Sequence, residues 1–456
     1  MKSYRFKALL QNQGWLENAT VALDEAGKIV SVSPQPAESG NAGAIYIDGY
    51  ALPGFQNAHS HAFQYAMAGL AERHSVSRLA DDFWSWREAM YRLASSVNPE
   101  QLKQIAAMLY SELLRNGFTS VAEFHYVHHD PGGAPYDDLA EMGAALVEAA
   151  KEAGIKITLI PIFYQKGGFG IPANERQKRF ISAGLDDYLK LFEASARVCK
   201  QYEGANVAAG VHSMRAVEHR DILRAVAEVP RDVPFHIHVA EQLKEVEDST
   251  AYLGKRPVEW LLDNVELSER FHLVHATHLN ERETERLAKT GANVVLCPST
   301  EGNLGDGIFP LGNYQSFGGA WSIGTDSHVG LNPLEELRIL DYGQRLITHR
   351  RDTFTGEDAR DSGFYAINKG VVAGRRAMNN FETEFFAAGA SFDACIINAD
   401  EPLLASVRPQ DLTASIVYST DASQIYGAFV AGKLIRKDEN YRRIKAAFID
   451  CVREFR

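Results

Sequence analysis

Two histidines stand two residues apart just after a short apolar run. Residues 52–55 form this run, which contains a Pro-Gly step and leads to His59 and His61. On an extended strand alternate side chains point the same way, so both imidazoles can reach one point. Neutral imidazole is a common ligand of divalent transition metals. The pair is therefore a candidate half of a metal site, although two ordinary histidines at a strand edge show the same spacing.

Further histidines and acidic residues follow other apolar runs of strand length. Most of the 15 histidines of the chain fall at or near the ends of such runs. Histidine is not a strand former, and a random scatter would not concentrate it there. The pattern favours a metal centre assembled from several strands. The runs lie near residues 51–57, 118–124, 155–163, 207–212, 234–239, 271–276, 292–297 and 321–326.

These eight runs alternate with amphipathic segments that are typical of helices, such as 99–115, 135–153, 184–202 and 280–290. Eight strand-helix units in a chain of this length predict an α/β protein with a (β/α)8 TIM-type barrel. A doubly wound open sheet is the alternative, but the glycine-rich phosphate turn that it often carries is absent. In such a barrel the chemistry gathers at the carboxyl ends of the strands, where the histidines fall.

The two ends of the chain have a different texture. Short alternating segments with glycine turns predict strands near the amino terminus and again late in the chain, and we expect one small β-sandwich domain built from both ends. The predicted boundaries are 1–52 and 373–437 for the sandwich, 53–372 for the barrel and 438–456 for a C-terminal helix. The β-like segments are 20–23, 28–33, 393–397, 415–418 and 427–435.

Composition excludes several classes of protein. The net charge of −12, from 47 basic and 59 acidic residues among 456, argues against a nucleic-acid or anionic-membrane surface. No 18-residue apolar run and no signal peptide is apparent, so we expect no membrane span. The four cysteines lack CxxC spacing, which excludes a zinc ribbon or a disulfide framework and predicts a reduced, cytoplasmic protein.

Taken together, the motifs at the strand ends resemble the amidohydrolase superfamily, and within it the mononuclear deaminase branch. Each motif alone is weak, but the set is specific and spans most of the predicted barrel. The matching segments are Pro53-Gly54-Phe55-x-Asn57-x-His59-x-His61, His236-x-His238-x-x-Glu241, His275-x-x-His278, Cys297-Pro298-Ser299-Thr300-x-x-Asn303-Leu304-Gly305-x-Gly307 and Thr325-Asp326-Ser327-His328.

The resemblance implies a role for each matching position. One divalent metal would be held by His59, His61, His238 and Asp326, with Asp326 also acting as a base. Glu241 falls at the proton-shuttle position, and His275 at the position that hydrogen-bonds the attacking water. This donor set suits Zn²⁺ or Fe²⁺. The fourth predicted strand, near 207–212, lacks the lysine that bridges two metals in dinuclear members, so one metal is expected.

The resemblance is closest to deaminases whose small-molecule substrate carries an amidine at one end and two carboxylates at the other. It implies carboxylate anchors at Arg87 and Arg215, because guanidinium pairs bidentately with carboxylate. It also implies hydrogen-bonding partners at Gln64, Tyr126 and His212. Without the resemblance, Arg87 is equally well read as a helix-surface residue and Arg215 as part of a salt bridge.

Two other functions are compatible with these motifs. One is a related deaminase that acts on a nucleobase, a nucleoside or a triazine, although two arginines facing a dianion would have no use there. The other is an inactive scaffold of the same fold, which the complete set of ligand positions disfavours. A homodimer is expected from the family and from the prevalence of such assemblies.

Overall fold

The computed structural model describes residues 2–34, 43–72, 83–356 and 361–455. Its strands are β1 (Lys2–Gln11), β2 (Gly14–Glu17), β3 (Ala19–Leu23), β4 (Ile29–Pro34), β5 (Ile45–Pro53), β6 (Phe55–Ser60), β7 (Phe118–His125), β8 (Lys156–Phe163), β9 (Lys166–Gly168), β10 (Ile171–Pro172), β11 (Ala205–Val207), β12 (Ala209–Ser213), β13 (Phe235–Val239), β14 (Phe271–His275), β15 (Asn293–Leu296), β16 (Ala320–Ile323), β17 (Ala394–Asn398), β18 (Ile425–Val430) and β19 (Lys433–Ile435).

Fourteen α-helices occur in the described ranges, and none of them is long and apolar enough to cross a membrane. The helices are α1 (Phe83–Ser96), α2 (Pro99–Arg115), α3 (Glu141–Ala153), α4 (Leu185–Cys199), α5 (His219–Glu228), α6 (Leu243–Leu253), α7 (Pro257–Asn264), α8 (Glu281–Ala288), α9 (Pro298–Leu304), α10 (Leu311–Ser316), α11 (Pro333–Thr348), α12 (Ser362–Ala377), α13 (Leu412–Ser419) and α14 (Glu439–Val452). Short 3-10 helices cover Ala62–Met67, Glu175–Gln177, Pro409–Asp411 and Ala422–Gln424.

The middle of the chain forms a parallel barrel. Its eight main strands run in the order β6, β7, β8, β12, β13, β14, β15 and β16, and β11 adds a short pairing to β8. Every strand pair in this series is parallel. Parallel strands need crossover connections, and the amphipathic helices between them supply these while covering the barrel. The prediction of an α/β barrel is confirmed.

The barrel closes between its first and last strands. The carbonyl of His59 on β6 accepts hydrogen bonds from the backbone N–H groups of Thr325 and Asp326, both at 3.1 Å, just beyond β16. The N–H of His61 donates in return to the carbonyl of Asp326 at 3.3 Å. Gly324 lies at the tightest point, where an added Cβ would come within 2.8 Å of His59 Cβ and 2.9 Å of His59 N. A side chain would therefore push the two strands apart.

A second sheet is built from both ends of the chain, as predicted. Its strands follow the order β19, β18, β17, β5, β1, β3 and β4, with β2 paired to β1. The predicted first barrel run is divided between the two sheets at Gly54, because residues up to Pro53 belong to β5 and the barrel strand begins at Phe55. The exact domain boundaries stay a prediction.

One predicted strand is a helix. Residues 415–418, read as β-like from their apolar and β-branched side chains, lie inside α13. The buried residues Leu412, Thr413, Ile416 and Val417 recur at spacings of one helical turn and face one side. Burial of that side against the neighbouring α12 outweighs the weak local preference of isoleucine and valine for strands.

We predict that Gly324→Ala disrupts the barrel seam, by which we mean the contact between β6 and the residues that follow β16. Overpacking against the backbone of His59 should lower the free energy of unfolding by about 1–3 kcal/mol. It should also reduce the amount of bound divalent metal, because His59 is one of the expected metal ligands. Denaturant unfolding and elemental analysis measure the two effects. Gly312→Ala, in helix α10 with nothing within 4 Å of the added Cβ, is the control and should change neither. A Gly324→Ala protein of unchanged stability would contradict the prediction.

Candidate active site

Four buried side chains converge at the carboxyl end of the barrel. The Nε2 atom of His59 lies 3.2 Å from Nε2 of His61 and 3.0 Å from Nε2 of His238. Asp326 Oδ1 lies 3.4 Å and 3.3 Å from the Nε2 atoms of His59 and His61. All four residues are at most 5 % exposed. These are the four ligand positions expected from the sequence, and the structure brings them together.

The orientation of two of these rings fixes which nitrogen faces the cluster. Nδ1 of His61 contacts the carbonyl of Phe124 at 2.8 Å, and Nδ1 of His238 contacts the carbonyl of His212 at 3.0 Å. A carbonyl only accepts, so each Nδ1 carries the proton and each Nε2 presents a lone pair. Nε2 of His59 lies 3.2 Å and 3.0 Å from these two Nε2 atoms and can donate a proton to only one of them, so at least one close nitrogen pair has no proton to bridge it. The donor set therefore fits a cation such as Zn²⁺ or Fe²⁺.

Burial also favours the neutral form of the three imidazoles. It lowers the pKa of His61 to about 3 and lowers the pKa of His59 and of His238 as well. The three imidazoles are therefore neutral near pH 7, which is the form that binds a metal. Burial raises the pKa of Asp326, but the neighbouring His59, His61 and His275 outweigh it and hold the pKa below its usual range. Three neutral nitrogens and one carboxylate result.

His275 and Glu241 lie beside this cluster, as the sequence predicted. Nε2 of His275 is 3.9 Å from Asp326 Oδ2 and 3.8 Å from Glu241 Oε1. Its Nδ1 lies 3.2 Å from Oε1 of Glu301, which also accepts a hydrogen bond from the backbone of Cys297 at 3.0 Å. Burial lowers the pKa of His275, but the carboxylates of Glu241, Glu301 and Asp326 outweigh it and raise the pKa to about 10. Burial raises the pKa of Glu241.

The backbone at two of these residues adopts the left-handed region. The φ angles of His275 and Asp326 are 67° and 45°. Non-glycine residues enter this region at a cost, and such residues gather at functional sites. His275 is the last residue of β14, and Asp326 follows the end of β16 by three residues, so both lie where the parallel strands end.

Glu123, on the neighbouring strand β7, holds the segment around His61. One carboxylate oxygen accepts hydrogen bonds from Ser60 Oγ at 2.6 Å and Tyr110 Oη at 3.0 Å. The other oxygen accepts from the backbone N–H of Ala62 at 2.6 Å. Burial raises the pKa of Glu123 to about 7. Both neighbours of His61 are thus fixed to a single carboxyl group.

A cavity leads from the cluster toward the loops above the barrel. It brings together all five predicted substrate contacts, and one wall is formed by helix α1. The residues that line it are His61, Gln64, Trp86, Arg87, Met90, Tyr91, Tyr126, Tyr164, Phe180, His212, Arg215, His238, Glu241, His275, Leu304 and Asp326.

Gln64 and Tyr126 form one side of this cavity near the metal cluster. The amide Nε2 of Gln64 donates to Tyr126 Oη at 3.2 Å, while Gln64 Oε1 is buried and has no partner among the described residues. The ring of His212 packs on Tyr126 with centroids 5.4 Å apart. An unpartnered buried carbonyl oxygen is costly unless a ligand donates to it. Gln64 is therefore poised to accept from an N–H group.

Arg215 and Arg87 supply positive charge to the same cavity. Arg215 is paired with buried Glu245, with Nη1 3.4 Å from the carboxylate, and its Nε has no partner among the described residues. Arg87 on α1 lies over the ring of Tyr91 at 5.0 Å. The salt-bridge alternative for Arg215 is thus observed, yet the same residue also lines the cavity. The cavity is therefore lined by both acidic and basic side chains.

Several residues that line or support the site were not singled out from the sequence. Glu301 occupied an unassigned position inside the motif that begins at Cys297, and only the fold shows that it contacts His275. Glu245, Tyr164 and Gln177 lie in no matching motif, and Tyr91, four residues after Arg87, was given no role. The presence of a glutamate four residues after Glu241 was the one available signal for the partner of Arg215.

A larger groove lies at the opposite end of the barrel. It is bordered by the start of β8, the ends of α2 and α3, and the hairpin of β18 and β19. Among the described residues, groups able to hold a metal occur only in the cluster above and in the overlapping set His275, Cys297 and Asp326. Since barrel chemistry occurs at the carboxyl ends of strands, the cavity at the cluster is the candidate active site.

The fold and this site define a metal-dependent hydrolase of the amidohydrolase type. The model of the Amidohydrolase family matches residues 50–435, so the chain belongs to that family. It is accordingly a hydrolase that acts on carbon–nitrogen bonds.

Individual relatives agree with this assignment. The chain is 40% identical over 454 residues to the formimidoylglutamate deiminase of Pseudomonas aeruginosa, covering 98% of each protein. It is 26% identical over 413 residues to a 5-methylthioadenosine/S-adenosylhomocysteine deaminase of Natronomonas pharaonis, covering 87% of this chain and 84% of that protein. A solved amidohydrolase structure from Brucella melitensis is 37% identical with a TM-score of 0.92, covering 100% of this chain and 99% of that one.

We predict that His238→Gln weakens zinc binding by about 100-fold or more, since even the loss of a residue that only supports a ligand costs 10–100-fold. Metal content after dialysis and titration with a zinc indicator measure the change. His272→Gln is the matched control, because His272 is buried on the adjacent strand and packs on His236 instead of the cluster. Equal zinc affinity in the two variants would contradict the assignment of His238.

Proposed function

We propose that this protein hydrolyses N-formimidoyl-L-glutamate to N-formyl-L-glutamate and ammonia. The observation that carries the proposal is the lining of the cavity, which combines the carboxylates of Asp326 and Glu241 with the guanidinium groups of Arg87 and Arg215. The substrate carries the complementary charges, a basic amidine at one end and two carboxylates at the other. The full-length similarity to a deiminase of that substrate supports the same choice.

His59, His61, His238 and Asp326 would hold one zinc or iron(II) ion. That ion supplies Lewis-acid chemistry, which makes hydroxide available from water near neutral pH. The Nε2 atoms of the three histidines and one carboxylate oxygen suit this task and leave the other oxygen of Asp326 for proton transfer.

Asp326 and His275 would then handle the attacking water. Asp326 Oδ2 accepts a proton from it, and His275 Nε2, 3.9 Å from that oxygen, hydrogen-bonds the developing negative charge. The hydrogen bond between His275 Nδ1 and Glu301 fixes the ring in this orientation. Glu301 thereby acts as a positioning residue.

Glu241 would move the second proton. Hydrolysis of the amidine transfers both protons of the water to the departing nitrogen, one through Asp326 and one through Glu241. Glu241 Oε1 lies 3.8 Å from His275 Nε2, on the cavity side of the cluster. As the carbon–nitrogen bond breaks, the protonated nitrogen leaves as ammonia and the carbonyl of the formyl group remains.

The remaining cavity residues would bind the substrate. Gln64 Oε1 accepts an N–H of the amidine, and Tyr126 and His212 line the path of the chain. Arg87 and Arg215 pair with the two carboxylates. The rival substrates, nucleobases, nucleosides and triazines, offer no anion for these arginines, and the relatives that act on adenosine-type compounds are more distant in sequence.

We predict that ammonia is released from N-formimidoyl-L-glutamate but not from cytosine or guanine. Arg87→Met and Arg215→Lys should each raise KM for formimidoylglutamate about 10- to 100-fold, the value of a charge-assisted hydrogen bond, with a smaller change in kcat. Lysine at 215 keeps the charge opposite Glu245 and removes only the forked geometry. A coupled ammonia assay measures both constants.

The control for these variants is Arg224→Met, a half-exposed arginine on α5 that pairs with Asp186, Asp221 and Glu228, none of which lines the cavity. It should retain the parent KM. Turnover of cytosine or guanine in place of formimidoylglutamate would overturn the proposed substrate while leaving the deaminase class intact.

We predict that Glu241→Gln lowers kcat by about 100- to 10,000-fold, the usual contribution of a proton-transfer group. The glutamine is isosteric but cannot deliver a proton. Metal content and KM should stay close to those of the parent, because Glu241 is outside the ligand set. The decisive readout is kcat at saturating substrate beside zinc content, and loss of zinc in this variant would count against the assigned role.

Such an activity belongs to histidine degradation, which is the physiological role we propose. A reducing, cytoplasmic location accords with four cysteines that are all free and buried. Zinc as the resident metal and a homodimeric assembly are part of the same proposal.

A further inference from the structure

Two tyrosines lie in the cavity beside the arginines and have no assigned role. Tyr91 comes from α1 and Tyr164 directly follows β8, and both are at most 5 % exposed. Tyr164 packs on His212 with ring centroids 4.6 Å apart, and Tyr91 stacks on Phe180 at 6.1 Å. Both line the cavity together with Arg87 and Arg215. Their hydroxyl groups are therefore candidates for contact with the ligand.

Gln177 connects the two hydroxyl groups from behind. Its Nε2 donates to Tyr164 Oη at 2.9 Å and to Tyr91 Oη at 3.4 Å. Its Oε1 accepts the backbone N–H of Asn174 at 3.0 Å, as part of the capping of the short helix Glu175–Gln177. This backbone donor fixes which end of the amide is which. Gln177 is fully buried, so the arrangement is enclosed.

The direction of these hydrogen bonds determines where the phenol protons go. Each tyrosine oxygen accepts a hydrogen bond from Gln177, so the O–H group of each tyrosine remains able to donate to another acceptor. Among the described residues, neither hydroxyl donates to a protein acceptor. A buried O–H needs an acceptor, and the cavity is the open side. Two O–H donors beside two guanidinium groups form a surface that can bind anionic oxygen atoms.

We propose that Tyr91 and Tyr164, oriented by Gln177, donate hydrogen bonds to the carboxylates of the substrate and so help to select a dicarboxylate. This inference rests on the proposed function and extends it to residues that the sequence did not indicate. Gln177 is the positioning residue, and the two tyrosines contact the ligand. Arg87 and Arg215 attract the carboxylates by their charge, while the phenols of Tyr91 and Tyr164 donate hydrogen bonds in fixed directions.

The test uses the zinc-loaded full chain with three variants. Tyr91→Phe and Tyr164→Phe each remove one O–H and keep the ring. Gln177→Glu keeps one oxygen for Asn174 but turns the other toward the phenols as an acceptor, which draws both O–H groups away from the cavity. Asn174→Asp is the control, because it adds the same charge to the exposed cap of the same helix.

Affinity for N-formyl-L-glutamate is measured by calorimetry, and kcat and KM by ammonia release. Each tyrosine variant should weaken binding of N-formyl-L-glutamate and raise KM for formimidoylglutamate about 10-fold or more, with kcat changed less. Gln177→Glu should weaken both at least as much as either tyrosine variant. Asn174→Asp should match the parent. Turnover of N-butylformamidine, which lacks both carboxylates, should change less than about 2-fold in every variant.

The outcomes separate this inference from the proposed function. A parent protein that binds N-formyl-L-glutamate but does not deiminate formimidoylglutamate would refute the activity, and the binding data would still decide the role of the phenols. Unchanged affinity in both tyrosine variants, or an equal loss toward N-butylformamidine, would overturn the inference. If Gln177→Glu does not fold, the two tyrosine variants alone decide.

Discussion

The closure of the barrel and the assembly of the metal cluster depend on the same few backbone hydrogen bonds. The carbonyl of His59 binds the N–H groups of Thr325 and Asp326, and the carbonyl of Asp326 binds His61. Two proposed ligands are therefore on the first strand and one is just past the last, on opposite sides of the seam. A cation held among them would tie the ends of the barrel together, so metal binding and barrel stability are thermodynamically linked.

Burial of several carboxyl groups near the metal cluster costs folding free energy, and nearby positive charge can offset that cost. Glu241, Glu301, Asp306 and Asp326 all lie in this region, and burial together with Glu241 raises the pKa of Asp306 to about 9. Uncompensated carboxylates at this depth destabilise a protein by several kcal/mol each. His275, whose pKa is raised to about 10, supplies one positive charge beside them, and the metal and a basic group on the substrate would supply more. The same acidity that favours these occupants would reject an anionic group at the cluster and direct it toward the arginines.

The barrel was predictable because it rests on periodicity, and a metal site at its strand ends was indicated by a residue type that strands seldom contain. The particular ligand positions came from the resemblance to the amidohydrolase superfamily. Strand-length runs repeat eight times, and histidines concentrated at their ends indicate a shared metal site. The prediction of a strand at 415–418 was wrong because these residues form α13, which is stabilised by burial of one of its faces. Such tertiary packing is not encoded in the local preference of single residue types. Glu301 and Gln177 were missed for a different reason. They are common residue types whose roles come from loops that bring them beside His275 and Tyr164.

The two ends of the cavity are built from different kinds of structure, and this has a consequence for specificity. The cluster is carried by strand ends that the barrel holds in fixed register. The opposite wall comes from α1, from the loop after β8 that contains Gln177, and from the turn after β12 that contains Arg215. Loops tolerate change better than paired strands. Substitutions in the wall can therefore change the substrate while the chemistry at the cluster is retained. Substrate selection then depends on how firmly the wall orients its hydrogen-bond donors. The buried amide of Gln177, whose orientation is fixed by the backbone N–H of Asn174, orients such donors without adding charge.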